Sequence, residues 1–218
     1  MSLFRLDASI MPATSASRAL GDLVEQAWAQ ATPEPQVRRR DVGTSPIPAD
    51  LWAAAVTEGF TPEAERTDLQ RRGRALATAL ADELLEADAL LLTVPLYNYG
   101  VSQHVKTWFD LAYADPRIGP GATGLAGTPA VLVTVLGGSY APGTPKDGWD
   151  HSTGWLERAL RDVWGLDLEV VQRDLTLAHA NPAMAQLRPL ADERQAAAEE
   201  QAAVAGERLA RAMAGARA

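Results

Sequence analysis

The sequence contains no cysteine among its 218 residues. This absence excludes disulfide bonds, thiolate nucleophiles, iron–sulfur clusters and cysteine-type zinc sites, so any redox chemistry needs a bound cofactor. Positive charge is also scarce, since 20 Lys and Arg side chains face 28 Asp and Glu side chains and leave a net charge of −8. An acidic chain repels phosphate backbones and anionic membrane surfaces, which argues against nucleic-acid and membrane partners.

Long apolar runs are missing as well. No run approaches the roughly 18 residues that a membrane-spanning helix needs. Residues 1–7 alternate like a strand instead of forming the apolar core of a signal peptide. No Ser/Gly-rich linker or break in composition divides the chain. We therefore expect residues 1–218 to form one domain of a soluble, cytoplasmic protein.

Two patterns that often mark ligand sites are discounted. Residues 119–124 match G-x-G-x-x-G, but they precede a predicted strand, whereas a dinucleotide-binding loop follows a strand and opens a helix. Asp147, Asp150 and His151 suggest a metal site or a catalytic base with its orienting carboxylate, yet no second His or Cys stands at ligand spacing and no G-x-S-x-G nucleophile motif is present. We therefore predict no metal ion.

Strand and helix patterns alternate along the chain. Predicted strands cover residues 3–10, 36–42, 87–94, 129–136 and 167–177. Predicted helices cover residues 15–31, 49–58, 62–87, 102–114, 152–164 and 184–214. Because strands three and four are almost continuously apolar, we expect both faces of a parallel sheet to be covered. The pattern predicts an α/β fold with a doubly wound, five-stranded parallel sheet and helices on both faces.

Three loops are expected to meet at one edge of this sheet. With the strand order 2-1-3-4-5, the chain reverses direction between strands one and three, and ligands bind outside the carboxyl ends of the strands at that point. The loops after strands one, three and four cover residues 9–17, 95–100 and 136–151. Each loop is chemically distinctive, so their convergence indicates a site more strongly than any one motif does.

The first loop supplies hydroxyl groups beside the start of a helix. Ser9, Thr14, Ser15 and Ser17 lie there, with Arg18 next to them. The first N–H groups of a helix lack intrahelical partners, and together with hydroxyl groups they bind phosphate well. Ser and Thr are also favoured as ordinary N-caps, so capping without a ligand remains the alternative.

The second loop is aromatic. Tyr97 and Tyr99 follow a buried strand and should face a crevice, which suits a flat ligand, while Pro95 constrains the backbone and Gly100 permits a turn. The tyrosines can pack on a planar ring, stack on a substrate or only brace the loop.

The third loop begins with Gly137 and Gly138. Glycine lets the backbone approach a planar ring closely and present N–H donors to it. Paired glycines after a strand also occur in flexible connections, which is the alternative interpretation.

Together these segments resemble the FMN-dependent NADH azoreductases and, more distantly, the NAD(P)H:quinone oxidoreductases, which are flavodoxin-like flavoproteins. The resemblance extends over nearly the whole chain and rests on residues 7–10, 15–18, 96–99, 106–110 and 137–138. It implies a flavodoxin-like fold, FMN as the cofactor and NADH or NADPH as the co-substrate. Residues 139–149 form a longer Pro- and Gly-containing insertion than the family pattern has.

The resemblance also assigns site residues. It implies that the FMN phosphate is held by Ser9, Ser15, Ala16 and Ser17. It implies that the isoalloxazine ring is lined by Leu96, Tyr97, Asn98 and Tyr99, and that its pyrimidine edge contacts Val135, Leu136, Gly137 and Gly138. Tyr140 and His151 are the candidate catalytic residues, because a positioned Tyr or His can donate a proton to a reduced acceptor. Capping of a helix by residues 150–152 is the alternative for His151.

The resulting hypothesis is an FMN-dependent oxidoreductase that transfers electrons from NAD(P)H to quinones or azo and other aromatic acceptors by a two-step, ping-pong hydride mechanism. Family resemblance further implies a homodimer with the flavin at the subunit interface. Trp52 and Phe60 are expected to cover a substrate or that interface, with local packing as the alternative. The competing hypotheses are a flavodoxin-type electron carrier and a cofactor-free interaction domain.

Overall fold

The predicted sheet is present in the computed structural model, which describes residues 1–215. Its five parallel strands are β1 (Ser2–Asp7), β2 (Gln36–Asp41), β3 (Ala89–Pro95), β4 (Pro129–Val135) and β5 (Asp167–Arg173). They lie in the order β2-β1-β3-β4-β5, and all four neighbouring pairs are parallel. The predicted fold class and strand order are therefore confirmed.

Helices cover both faces of the sheet, as the apolar central strands require. The helices are α1 (Ala16–Gln30), α2 (Asp50–Glu58), α3 (Asp68–Leu85), α4 (Gln103–Ala112), α5 (Thr153–Glu157) and α6 (Arg188–Gly215). Side chains of α1 and α6 pack with one face around Trp28 and Leu91. Side chains of α2, α3, α4 and α5 pack with the other face around Phe4 and Trp108, whose rings stack 6.4 Å apart.

The ends of several elements differ from the periodicity-based bounds, because local capping decides them. Thr67 caps α3 in a capping box with Gln70, so the helix begins at Asp68 instead of residue 62. The helix predicted over residues 152–164 continues beyond α5 as a π-helical segment, Arg158–Val163. A 3₁₀ segment, Pro182–Leu187, precedes α6. The first and last strands end at Asp7 and Arg173, earlier than the apolar pattern suggests.

Glycines and one buried ionic group fix the position of α1. A Cβ atom on Gly206 of α6 would lie 2.2 Å from the Val24 carbonyl oxygen, so the two helices approach as closely as only glycine allows. Arg5 of β1 is buried, and its guanidinium donates to Asp7, Asp22 and Glu25 at 2.7–3.2 Å. These contacts hold the middle of α1 against β1.

Within residues 1–215, none of the helices combines the length and the apolar character that crossing a membrane requires.

Candidate active site

A cavity of about 300 Å³ opens at the carboxyl ends of β1, β3 and β4. It is lined by Ser9, Met11, Thr14, Ser15, Ala16, Pro95, Leu96, Tyr97, Val135, Gly137, Thr176 and Leu177. The three predicted loops therefore meet at one cavity. Seven of the predicted cofactor-binding residues line it, whereas Ser17, Asn98, Tyr99, Leu136 and Gly138 lie outside the lining.

A larger cavity of about 530 Å³ lies at the opposite end of the sheet, beside Ser2, Leu3 and Gln36. These residues stand at the amino ends of β1 and β2. Ligands of open α/β sheets bind outside the carboxyl ends of the strands, so the smaller cavity is the candidate active site.

Some hydroxyl groups of the first loop form hydrogen bonds within the loop, and others are accessible at the cavity. Ser15 is the N-cap of α1, and its Oγ accepts the N–H of Arg18 at 3.2 Å, as the capping alternative predicts. Ser17 is fully buried with its Oγ 3.1 Å from that of Ser15, and Ser9 is also buried. Thr14 and Ser15 are thus the hydroxyl residues of this loop that both line the cavity and remain accessible.

Arg18 is not directed at the cavity. Its Nη2 atom donates to the Ser9 carbonyl oxygen at 3.0 Å and to the Asp41 carboxylate at 2.8 Å. Burial raises the pKa of Asp41, but hydrogen bonds from Thr44 and Arg18 outweigh it and hold this pKa below its ordinary value. Arg18 thus lies beside the first loop as expected, but its guanidinium is paired there, and none of the residues that line the described cavity is charged.

The second loop is a tight hairpin. Tyr97 and Gly100 exchange two backbone hydrogen bonds of 3.2 and 3.0 Å. Asn98 and Tyr99 between them have φ angles of 49° and 68°, which is the pattern of a type I′ turn. Gly100 closes the expected turn, but the left-handed backbone conformation is adopted by Asn98 and Tyr99 and not by the glycine. An aromatic residue in the left-handed region costs about 1–3 kcal/mol, which surrounding contacts must offset.

Hydrogen bonds fix the start of the third loop, which excludes the flexible-connection alternative there. The segment after β5 runs alongside it: Thr176 N donates to Leu136 O and Leu177 N to Gly137 O, both at 3.1 Å. A Cβ atom on Gly137 would lie 2.7 Å from Cδ1 of Leu177. Packing against Leu177 therefore explains why a residue without a side chain is needed at position 137, with no ligand involved.

Thr176 and Leu177 are cavity residues that the sequence analysis missed. The apolar pattern places both inside the strand predicted over residues 167–177, where side chains are expected to pack against the sheet's neighbours and not to line a site. Leu175 has a φ of 58°, so the chain turns there and carries Leu177 to the cavity, where it is 53% exposed.

The insertion after Gly138, which we call the rim loop (residues 139–150), folds onto the tip of the hairpin. The Tyr99 ring makes edge contacts with Tyr140 at 6.1 Å and Trp149 at 5.2 Å between centroids. Lys146 Nζ donates to the Tyr99 hydroxyl oxygen at 3.0 Å and lies 5.0 Å from the centre of its ring. These contacts offset the backbone strain at Tyr99.

The two candidate catalytic residues, Tyr140 in the rim loop and His151 directly after it, lie outside the lining of the cavity. The Tyr140 hydroxyl oxygen is 3.8 Å from the position that a Cβ atom on Gly138 would occupy, so the phenol covers the start of the third loop. The backbone N–H of His151 donates to Tyr99 O at 3.0 Å, and the side chain is exposed. Asp150, not His151, caps α5, since its carboxylate accepts the N–H groups of Ser152 and Thr153 at 2.9 Å.

In the described part of the chain, no group of three or more His, Cys, Asp or Glu side chains is arranged to hold a metal ion. Asp147, which the sequence pattern places near His151, instead accepts the backbone N–H of Gly143 at 3.2 Å.

Comparison with known proteins places this geometry in a family. The model of a family described by its flavodoxin-like fold matches residues 1–205. The chain is 39% identical over 192 residues to an FMN-dependent NADH:quinone oxidoreductase of Streptomyces coelicolor, with 86% of each chain covered. A protein of the same name from Kineococcus radiotolerans is 40% identical over 193 residues, covering 85% of this chain and 89% of the relative.

Solved structures agree on the fold. An azoreductase from Bacillus anthracis superposes with a TM-score of 0.78 at 19% identity, covering 95% of this chain and 99% of the other. An FMN-dependent NADH-azoreductase of the same species, solved in complex with FMN, has a TM-score of 0.77 at 15% identity, covering 96% and 100%. The chain is a flavodoxin-like protein. Within that class it belongs to the family of the FMN-dependent NADH:quinone oxidoreductases, which confirms the resemblance read from the sequence.

Proposed function

We propose that this chain is an FMN-dependent oxidoreductase that passes electrons from NADH to quinones or azo compounds, and that residues 1–218 form its single FMN-binding domain. The observation that carries the proposal is the cavity between β1 and β3, which joins hydroxyl groups and a helix N-terminus to an apolar wall. This is the switch point at which sheets of this order bind FMN. The names of the relatives give this activity, and their sequence identity and coverage support proposing the same activity for this chain.

The donor set suits FMN. Thr14, Ser15 and the first N–H groups of α1 offer neutral donors and the positive end of a helix to a phosphate group. Ala16, with no polar side chain, lets the group approach the backbone. Ser9 and Ser17 contribute by bracing this loop from within.

The apolar side of the cavity suits the ring. Leu96 and Val135 line one wall, and the hydrogen bond from Leu96 N to Val135 O at 2.9 Å fixes their separation. Tyr97 adds an aromatic surface at the same wall. The proposed cofactor site is completed by residues of the hairpin and the third loop that lie outside the lining, namely Asn98, Tyr99, Leu136 and Gly138.

FMN, when bound, supplies the hydride and electron-transfer chemistry, and the protein positions it and its substrates. Tyr140 of the rim loop and His151 directly after it are the proposed proton donors, since a phenol or an imidazole can donate a proton to the oxygen or nitrogen atom of a reduced acceptor. Leu177 and Met11 add apolar side chains to the cavity lining, which limits the access of water. The two-step order, in which NADH leaves before the acceptor binds, is part of the proposal because both use one cavity.

The proposal includes a homodimer with the flavin at the subunit interface. Trp52, Val56 and Phe60 stand at i, i+4 and i+8 along α2 and just beyond it, and they are 45%, 42% and 87% exposed. Such an apolar stripe on a surface helix indicates a protein interface. Light scattering is expected to give a dimer for the wild type and a monomer for Phe60→Asp, and a monomeric wild type would refute this part.

Titration with FMN and an NADH oxidation assay test the function. We expect a yellow complex with FMN and quinone-dependent oxidation of NADH. Flavin binding without NADH oxidation would favour the electron carrier. A colourless protein that takes up no FMN would leave only the interaction domain.

A further inference from the structure

Lysine is rare in this chain, which has 18 arginines but only Lys106 and Lys146. Both ammonium groups lie 5.8 Å from the centre of a tryptophan ring. They differ in their partners. Lys106 forms an ion pair with Asp110 on α4. Lys146 contacts the phenol oxygen of Tyr99 and forms no ion pair with any carboxylate in the described part of the chain.

The nearby carboxylates of the rim loop do not neutralise Lys146. The Asp147 carboxylate accepts the N–H of Gly143, and the Asp150 carboxylate caps α5. The hydrogen bond to Tyr99 raises the pKa of Lys146, so the ammonium group stays charged at neutral pH. The rim loop thus carries one uncompensated cation, and this cation contacts the hairpin whose Tyr97 lines a cavity without charged lining residues.

Tyr99 fixes this cation relative to the cavity. Its backbone is held by the hairpin and by the N–H of His151, and its ring is held between Tyr140 and Trp149. Tyr97, two residues earlier in the same hairpin, lines the cavity. The strained backbone of Tyr99 thus places its phenol beneath the ammonium group of Lys146.

We propose that Lys146, supported by the Tyr99 and Trp149 rings, determines substrate specificity by binding the carboxylate or sulfonate group of an aromatic electron acceptor. The inference rests on the proposed function and narrows its acceptor class to aromatic acids. An ammonium group has three N–H donors, and Tyr99 takes one, which leaves two for an anion. Trp149 is 47% exposed and offers its ring surface to the apolar body of the acceptor.

Binding of one azo dye in two forms tests the proposal. The probes are a dimethylaminoazobenzene that carries a carboxylate on its second ring and the methyl ester of the same dye. Calorimetry on the FMN-loaded chain, without NADH, gives a dissociation constant for each form. Because an exposed charge pair contributes a factor of up to about five, we expect the acid to bind about fivefold more tightly than the ester, and the preference to shrink as salt is added.

Variants separate recognition from a structural role of the lysine. We expect Lys146→Met to abolish the preference for the acid and Lys146→Arg to retain it. Lys106→Met, the matched control, is expected to keep the wild-type ratio. An equal affinity of the wild type for acid and ester, or an unchanged ratio in Lys146→Met, would overturn the proposal. If FMN does not bind, the proposed function fails, and the same ratio measured on the flavin-free chain still decides the role of Lys146.

Discussion

The hydroxyl oxygen of Tyr97 lies 3.3 Å from Ser9 Oγ and accepts the backbone N–H of Ile10 at 3.2 Å. These two contacts join the loop after β3 to the loop after β1 across the mouth of the cavity. Ser9 Oγ in turn accepts the N–H of Met11 at 3.2 Å. A single phenol therefore sets the separation between the wall proposed for the ring and the loop proposed for the phosphate.

Removal of this hydroxyl group is expected to weaken FMN binding. Two hydrogen bonds contribute roughly 1–2 kcal/mol together, so Tyr97→Phe should raise the dissociation constant of FMN by about tenfold. Quenching of flavin fluorescence measures it. Tyr113→Phe is the control, because Tyr113 stacks on Phe109 away from the cavity. Equal FMN affinity in Tyr97→Phe and the wild type would show that the loops keep their spacing without the phenol.

The sheet and the meeting of the three loops could be predicted from the sequence. The parallel sheet follows from the alternation of apolar strands with amphipathic helices, which is a property of whole segments. The strand order is that of the flavodoxin-like fold which the resemblance implies, and the convergence of the loops follows from that order. Even the hydroxyl groups of the first loop could be located, because capping and phosphate binding favour the same residue types at a helix start.

The features that could not be predicted from the sequence depend on single side-chain contacts and single backbone angles. The pairing of Arg18 with Asp41 is a contact between residues 23 positions apart, and nothing in the local pattern distinguishes it from a free arginine. The left-handed backbone at Tyr99 runs against the intrinsic preference of tyrosine, and contacts with the rim loop override that preference. Leu177 reaches the cavity because the chain leaves the sheet four residues before the apolar pattern ends.

Two helical glycines provide a test of how α1 is held. In Gly206→Ala the new methyl group would meet the Val24 carbonyl oxygen, and α1 and α6 would have to separate. We expect the free energy of unfolding in urea to fall by about 1–3 kcal/mol, as for overpacked cores. A Cβ atom at Gly154 of α5 meets nothing within 4 Å. Gly154→Ala should therefore be neutral or stabilising by about 0.5–1 kcal/mol. The same small effect in both variants would contradict the close helix contact.

Asp115 is expected to make stability depend on pH. Its side chain is 2% exposed and accepts the Nε–H and backbone N–H of Arg117 at 2.9 and 3.0 Å. Burial raises the pKa of Asp115, but hydrogen bonds and the charge of Arg117 outweigh it, so this pKa lies below its ordinary value.

A carboxylate with a lowered pKa stabilises the folded state above its unfolded pKa, about 3.9, and this contribution is lost as the pH falls through the folded pKa. Asp115→Asn should therefore be less stable than the wild type at neutral pH, and the gap should narrow between about pH 5 and pH 2. Urea titrations across this range measure it. Asp68→Asn, at a carboxylate 94% exposed, is the control. A gap that stays constant with pH would contradict an ionised Asp115 in the folded protein.

Ser15 combines helix capping with the proposed contact to phosphate, and one substitution separates the two roles. Aspartate caps helices as well as serine does, so Ser15→Asp should leave the free energy of unfolding within about 0.5 kcal/mol of the wild type. Its carboxylate would stand where the FMN phosphate is proposed to lie, at a helix end that binds one anion. We therefore expect FMN affinity to fall at least about tenfold while riboflavin, which lacks the phosphate, binds unchanged. Thr67→Asp, at the N-cap of α3, is the control and should alter neither ligand's affinity. If Ser15→Asp bound FMN as the wild type does, capping would be the only role of Ser15.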